Sequence, residues 1–73
     1  SVASALIEAM LSPADVNLNW AAAISLGRLR VPASARDLER VAGSHWHPAV
    51  RSAAARALRE VSAGGTPRSK AAG

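Results

Sequence analysis

Apolar residues recur along this chain at spacings of three and four, the signature of helices that each bury one face. Ala3, Leu6, Ile7, Met10 and Leu11 make the first such stripe and predict a helix over Val2 to Leu11, with Ser4 and Glu8 outside the stripe. Ser12-Pro13-Ala14-Asp15 reads as a turn. Asp15 is placed to cap a second helix, since its carboxylate can accept the free amide protons of the first turn. That helix is expected from about Val16 to Leu29, with Leu18, Ala21, Ala22, Ser25, Leu26 and Leu29 inward. Its small residues let a neighbouring helix approach closely. Gly27 lowers helix propensity near the end, and Arg28 and Arg30 suit the negative end of the helix dipole.

Val31-Pro32-Ala33 is the connection to the second half. Ser34 followed by Asp37 is a weaker relative of the S/T-x-x-E capping box. A third helix is expected from about Ala35 to Ala42, with Ala35, Leu38 and Val41 or Ala42 inward and Arg36, Asp37, Glu39 and Arg40 outward. Gly43 would end it as a C′ residue. Ser44 to His47 forms another turn, and Pro48 fits the first position of a fourth helix, where its missing amide costs nothing. That helix is expected from about Pro48 to Val61, with Val50, Ala54, Ala57, Leu58 and Val61 inward, and Ser62-Ala63-Gly64-Gly65 stopping it. Residues 63–73 are expected to be a disordered basic tail, too small and polar to bury a core.

The two halves repeat. A shift of 32 residues aligns Ala3 with Ala35, Leu6 with Leu38, Ser12 with Ser44, the run Ala21 to Ala23 with Ala53 to Ala55, and Leu26 with Leu58. Leu18 and Val50, and Leu29 and Val61, are conservative pairs. Matches on the inward faces are what a stacked helical hairpin needs, because each unit buries one face on its neighbour. The expected fold is all-α, two stacked antiparallel hairpins over residues 1–30 and 31–62.

The stretch His47 to Val61, HPAVRSAAARALREV, resembles the second helix of a HEAT repeat. It has a proline in the first turn, then Val50-Arg51, an alanine run, and Leu58 before Val61. Asp15 to Leu29 carries the same pattern one repeat earlier. The resemblance spans about Val2 to Val61 and implies an α-solenoid fragment that acts as a protein-interaction scaffold. HEAT units commonly place an Asp in the inter-helix turn and an Arg six residues later, forming a polar ladder between repeats. Arg51 matches the Arg position, but His45 stands at the Asp position, and the first unit has Pro13 and Asn19 there. An incomplete ladder is therefore expected. Repeat arrays usually need about three units for a continuous core. Two units imply neighbouring repeats, a protein partner or self-association. Helical pattern begins within a few residues of Ser1 and there is no initiator Met, so the chain is expected to be a fragment.

Composition narrows the function further. Alanine dominates, and Phe, Tyr and Cys are absent. Thiol and disulfide chemistry are excluded within these 73 residues, which is compatible with a reducing, cytoplasmic setting. No apolar run approaches the roughly 20 residues that span a bilayer. Of the net charge of +4, Arg68 and Lys70 supply +2, and seven arginines against five carboxylates supply the rest. A body so near neutrality is weak support for nucleic acid.

Trp20 and Ile24 depart most from the repeat, since Ser52 and Arg56 occupy their equivalent positions. With Asn17 and Arg28 they form an i, i+3, i+7, i+11 stripe on the second helix. In HEAT arrays that helix lines the concave surface, so the resemblance implies a partner-binding surface of Asn17, Trp20, Ile24 and Arg28 that Arg56 continues. The other reading packs Trp20 on a preceding helix or on Ser1 to Ser4. Arg36, Arg40, Arg51, Arg56 and Arg59 could instead form a basic face for DNA, as in the HEAT-like alkylpurine glycosylases, although Asp37, Glu39 and Glu60 interrupt it. His45 and His47 have no third metal ligand near in sequence. His47 is read as capping the fourth helix and Trp46 as covering the end of the hairpin. No catalytic constellation and no cofactor motif is present, so the chain reads as non-enzymatic. The remaining alternative is an accessory segment of an enzyme whose catalytic domain lies elsewhere, as in HEAT-like chromophore lyases and hydroxylases.

Overall fold

The computed structural model describes the backbone of residues 1–65 and the side chains of residues 1–63. Among the described residues four helices follow one another: α1 (Val2–Leu11), α2 (Val16–Leu29), α3 (Ala35–Ser44) and α4 (Pro48–Gly65). A short 3-10 turn, Pro32–Ser34, precedes α3. The fold is all-helical, two hairpins stacked one on the other: α1 packs on α2, α3 on α4, and α2 and α4 join the hairpins.

Local chemistry sets the boundaries. Asp15 Oδ1 accepts from the amides of Asn17 (3.0 Å) and Leu18 (3.1 Å), which starts α2. α2 ends at Arg30, whose φ of 52° and ψ of 53° are left-handed. There the amide of Arg30 donates to Gly27 O and that of Val31 to Leu26 O. Pro48 opens α4, and Nδ1 of His47 accepts from the Ala49 amide at 3.1 Å, so His47 does cap this helix.

One core cluster unites the helices, with Met10, Leu26, Leu38 and Val50 as its largest fully buried apolar side chains. Each such side chain contributes about 1.5–3 kcal/mol on burial. Alanines 22, 23, 53, 54 and 57 fill the remainder and bring α2 and α4 close together.

Several expectations are corrected. The inward face of α2 is Asn19, Ala22, Ala23, Leu26 and Gly27, whereas Leu18, Ala21 and Leu29 are exposed and Ser25 is half-buried. The helix is turned because the Asn19 amide has polar partners inside and α4 approaches on the Gly27 side. Leu11 is likewise exposed at the end of α1. Gly43 does not terminate α3; it lies within the helix, which ends at Ser44 with an extended His45. Ser34 gives α3 no side-chain cap, because its hydroxyl donates to Val31 O at 2.7 Å and closes the 3-10 turn instead. Finally, α4 runs through Ser62 and Ala63 to Gly65. The rest of the expected tail lies outside the described residues.

Candidate functional site

α2 and α4 cross tightly at Gly27. There Gly27 faces Ala57, where a Cβ on Gly27 would lie 2.7 Å from both Cα and Cβ of Ala57. Beside this crossing Trp20 stands on α2, and α4 offers the small residues Ala49, Ser52, Ala53 and Ala57. A hollow of about 400 Å³ results, lined by Trp20, Ile24 and Arg28 on one side and Ser52, Arg56 and Glu60 on the other. A second hollow of about 400 Å³ adjoins it, lined by Val16, Asn17, Trp20, His47, Ala49 and Val50. Trp20 borders both. Ile24, Arg28 and Arg56 line the first hollow and Asn17 the second, with Trp20 and Ala49 shared between the two.

Its chemistry is mixed. Trp20 is 47% exposed, so much of the indole faces the groove mouth. Ile24 is half-buried beside it. The Arg56 side chain is 77% exposed and its Nε lies 3.9 Å from Glu60 Oε2, a surface pair contributing about 0–1 kcal/mol. Arg28 joins no ion pair among the described residues.

Behind the groove runs a polar connection between the hairpins. Asn19 is buried, and its Nδ2 donates to Ala9 O and Ser12 O, both at 2.8 Å, tying down the α1–α2 turn. Its Oδ1 lies 3.0 Å from His45 Nε2 in the α3–α4 turn. His45 Nδ1 accepts from the His47 amide at 2.9 Å, which leaves Nε2 to carry the proton and donate to Asn19. Arg51 Nη1 donates to His45 O at 2.7 Å and to Trp46 O at 3.3 Å. Asn19 and Arg51 occupy equivalent positions in the repeat, and each holds the carbonyls of its own turn.

The family model for HEAT repeats matches residues 3–72. The chain belongs to the HEAT repeat family. No curated protein and no solved structure matches it. HEAT repeats typically serve as protein-interaction scaffolds, and the family is generally non-catalytic.

Asn19 and His45 join the two repeats where an incomplete ladder is expected, a link that the apolar pattern does not single out. Its signal lies in the repeat register, which sets Asn19 opposite Arg51 and puts His45 at the Asp position. The Asn19 amide donates to two carbonyls and also accepts from His45, a combination that a guanidinium, which has no acceptor, could not supply.

The arginines of the DNA alternative lie on different parts of the HEAT fold. Arg51 is committed to turn carbonyls, and Arg56 lies in the groove. Arg40 borders a separate hollow with Leu11, Pro13 and Trp46. Arg36 and Arg59 are exposed on α3 and α4. Trp46 is 69% exposed, so it covers little of the hairpin end; it stacks on His45 at 5.6 Å and meets the His47 ring edge-on at 5.3 Å. Among the described residues no three His, Cys, Asp or Glu side chains gather at a possible metal site. No helix among them is long and apolar enough to cross a membrane.

Proposed function

We propose that this HEAT repeat pair is a non-enzymatic protein-interaction module whose binding surface is the groove between α2 and α4. The observation that carries this reading is Trp20, half exposed beside Ile24 and flanked by Arg28 and Arg56. Trp and Arg are the residue types that most often dominate binding energy, and a hollow on each side of an indole suits apolar side chains. The partner is a peptide segment that places an apolar residue against Trp20 and Ile24 and carboxylates near Arg28 and Arg56. Asn17 offers an amide at the far end of the groove.

A displayed peptide library tests this. The expected winners combine apolar and acidic residues, and Trp20→Ala weakens their binding by at least tenfold, on the order of 2 kcal/mol, while the helical circular dichroism signal persists. Arg36→Glu leaves them unaffected. Duplex DNA binding that collapses with salt, is lost on Arg56→Glu and survives Trp20→Ala would refute the groove and favour the arginine face.

A further inference from the structure

Glu60 is the single acid among the residues that line the first hollow, and it shares that space with two arginines, Arg28 and Arg56. The 32-residue offset pairs Glu60 with Arg28, so one repeat position carries a cation on α2 and an anion on α4. The Glu60 carboxylate reaches across the helix crossing. Its Oε1 lies against Gly27, in the space that a Cβ there would take. Its Oε2 lies 3.9 Å from Arg56 Nε, one turn back on α4. That separation is longer than a hydrogen bond, so Arg56 keeps its donors for a ligand. Arg28 follows Gly27 directly and joins no ion pair among the described residues. Both arginines are exposed, whereas Glu60 is half-buried.

We propose that Glu60 is a specificity-determining residue of the groove, which restricts the acidic residue of a bound peptide to a carboxylate and turns away a phosphoryl group. This role rests on the peptide-binding reading of the groove and deepens it. The hollow offers two cations and one anion. An Asp or Glu side chain brings one negative charge, and cations and anions are then equal in number. A phosphoserine brings about −1.5 to −2 at pH 7, and negative charge is then in excess around two guanidiniums. The excess falls beside Glu60, where a like charge is costly. Without the Glu60 charge the match reverses. Arg28 and Arg56 then balance a phosphoryl dianion, a group that guanidiniums bind with strong charge-assisted hydrogen bonds.

The control falls to Glu60 alone. No other carboxylate lines either hollow beside Trp20. Rotation of the side chain toward solvent does not remove its influence. Glu60 and Arg56 are one turn apart on α4, so the charge stays within about 8 Å of the arginine, the screening length at physiological salt. Gly27 belongs to the same device, because only a residue without Cβ leaves room on α2 for Glu60 Oε1.

The test uses the 73-residue chain and a peptide array in which every sequence occurs in three forms, with Glu, phosphoserine or Gln at one position and an apolar residue nearby. Peptides that bind are titrated at physiological salt while the Trp20 indole N–H signal is followed by NMR. The Glu form should bind about tenfold tighter than the phosphoserine form, and the Gln form more weakly than the Glu form. Glu60→Gln keeps the size of the side chain and its place over Gly27, and should bring the phosphoserine form level with the Glu form or above it, with an unchanged circular dichroism spectrum. Glu60→Asp keeps the charge and should keep the preference for Glu. A wild-type chain that takes the phosphoserine form as tightly as the Glu form overturns the proposal, and this comparison needs no variant to fold. A ratio unmoved by Glu60→Gln overturns it too. In both cases the groove reading survives, because the Trp20 signal still responds. If no peptide moves that signal, the groove reading fails and the role of Glu60 fails with it.

Discussion

Leu6 and Leu38 hold the same position in the two hairpins, as do Leu18 and Val50. Leu38 and Val50 are fully buried, whereas Leu6 is only partly covered and Leu18 is 44% exposed. The residue types hardly differ, so the difference in burial comes from place in the stack. The second hairpin is covered by the first, and no described element covers the outer face of the first. Truncations at paired positions should therefore be unequal. Leu38→Ala should cost about 2–5 kcal/mol, the usual range for a buried leucine. Leu6→Ala should cost clearly less. Urea titration followed by circular dichroism reads both, and equal losses would break the comparison. In so small a chain the larger loss approaches the whole folding free energy.

Gly27 and Arg59 are the next pair. One is buried at the α2–α4 crossing and the other is exposed on the outside of α4. Gly27→Ala gains helix propensity yet should destabilise by about 1–3 kcal/mol, because the methyl group meets the Ala57 backbone and the helices must part. Arg59→Ala should change stability by no more than about 0.5 kcal/mol, as is usual for surface sites. A more stable Gly27→Ala protein would mean that the crossing is looser than the contacts imply.

Much of this architecture is legible in the residues themselves. Proline, aspartate and the three-four spacing place α1 and α2 from Val2 to Leu11 and from Val16 to Leu29, and the repeat implies the stacking. The facing of α2 is not legible in the same way. The apolar stripe of a repeat encodes contacts to neighbours on both sides, and a sequence does not say which neighbour is there. Leu18 and Leu29 carry the pattern of an inward face that this chain does not cover. Asn19 escapes the pattern for a related reason: a lone polar residue reads as solvent-facing until the turn carbonyls and His45 converge on it. At the groove, the departure of Trp20 and Ile24 from the repeat is visible in the residues. The two hollows beside Trp20 are not, since they depend on how far α4 stands from α2.

The smallest effects concern two residues whose backbone conformations suit the other's side chain. Gly43 lies in helical geometry, is exposed, and has nothing within 4 Å of where a Cβ would stand. Arg30 adopts φ 52° at the end of α2, a left-handed conformation that glycine occupies without the Cβ clash. Gly43→Ala should stabilise the protein by about 0.4–1 kcal/mol, chiefly by narrowing the unfolded ensemble. Arg30→Gly should gain a similar amount, because relief of a left-handed cost of about 1–2 kcal/mol is partly offset by glycine's greater freedom when unfolded. The sites lie in different hairpins, so their effects should add in the double variant. Thermal unfolding of the two single variants and the double variant measures this. A loss of stability in Arg30→Gly would show that the arginine side chain stabilises the end of α2 by more than its backbone conformation costs.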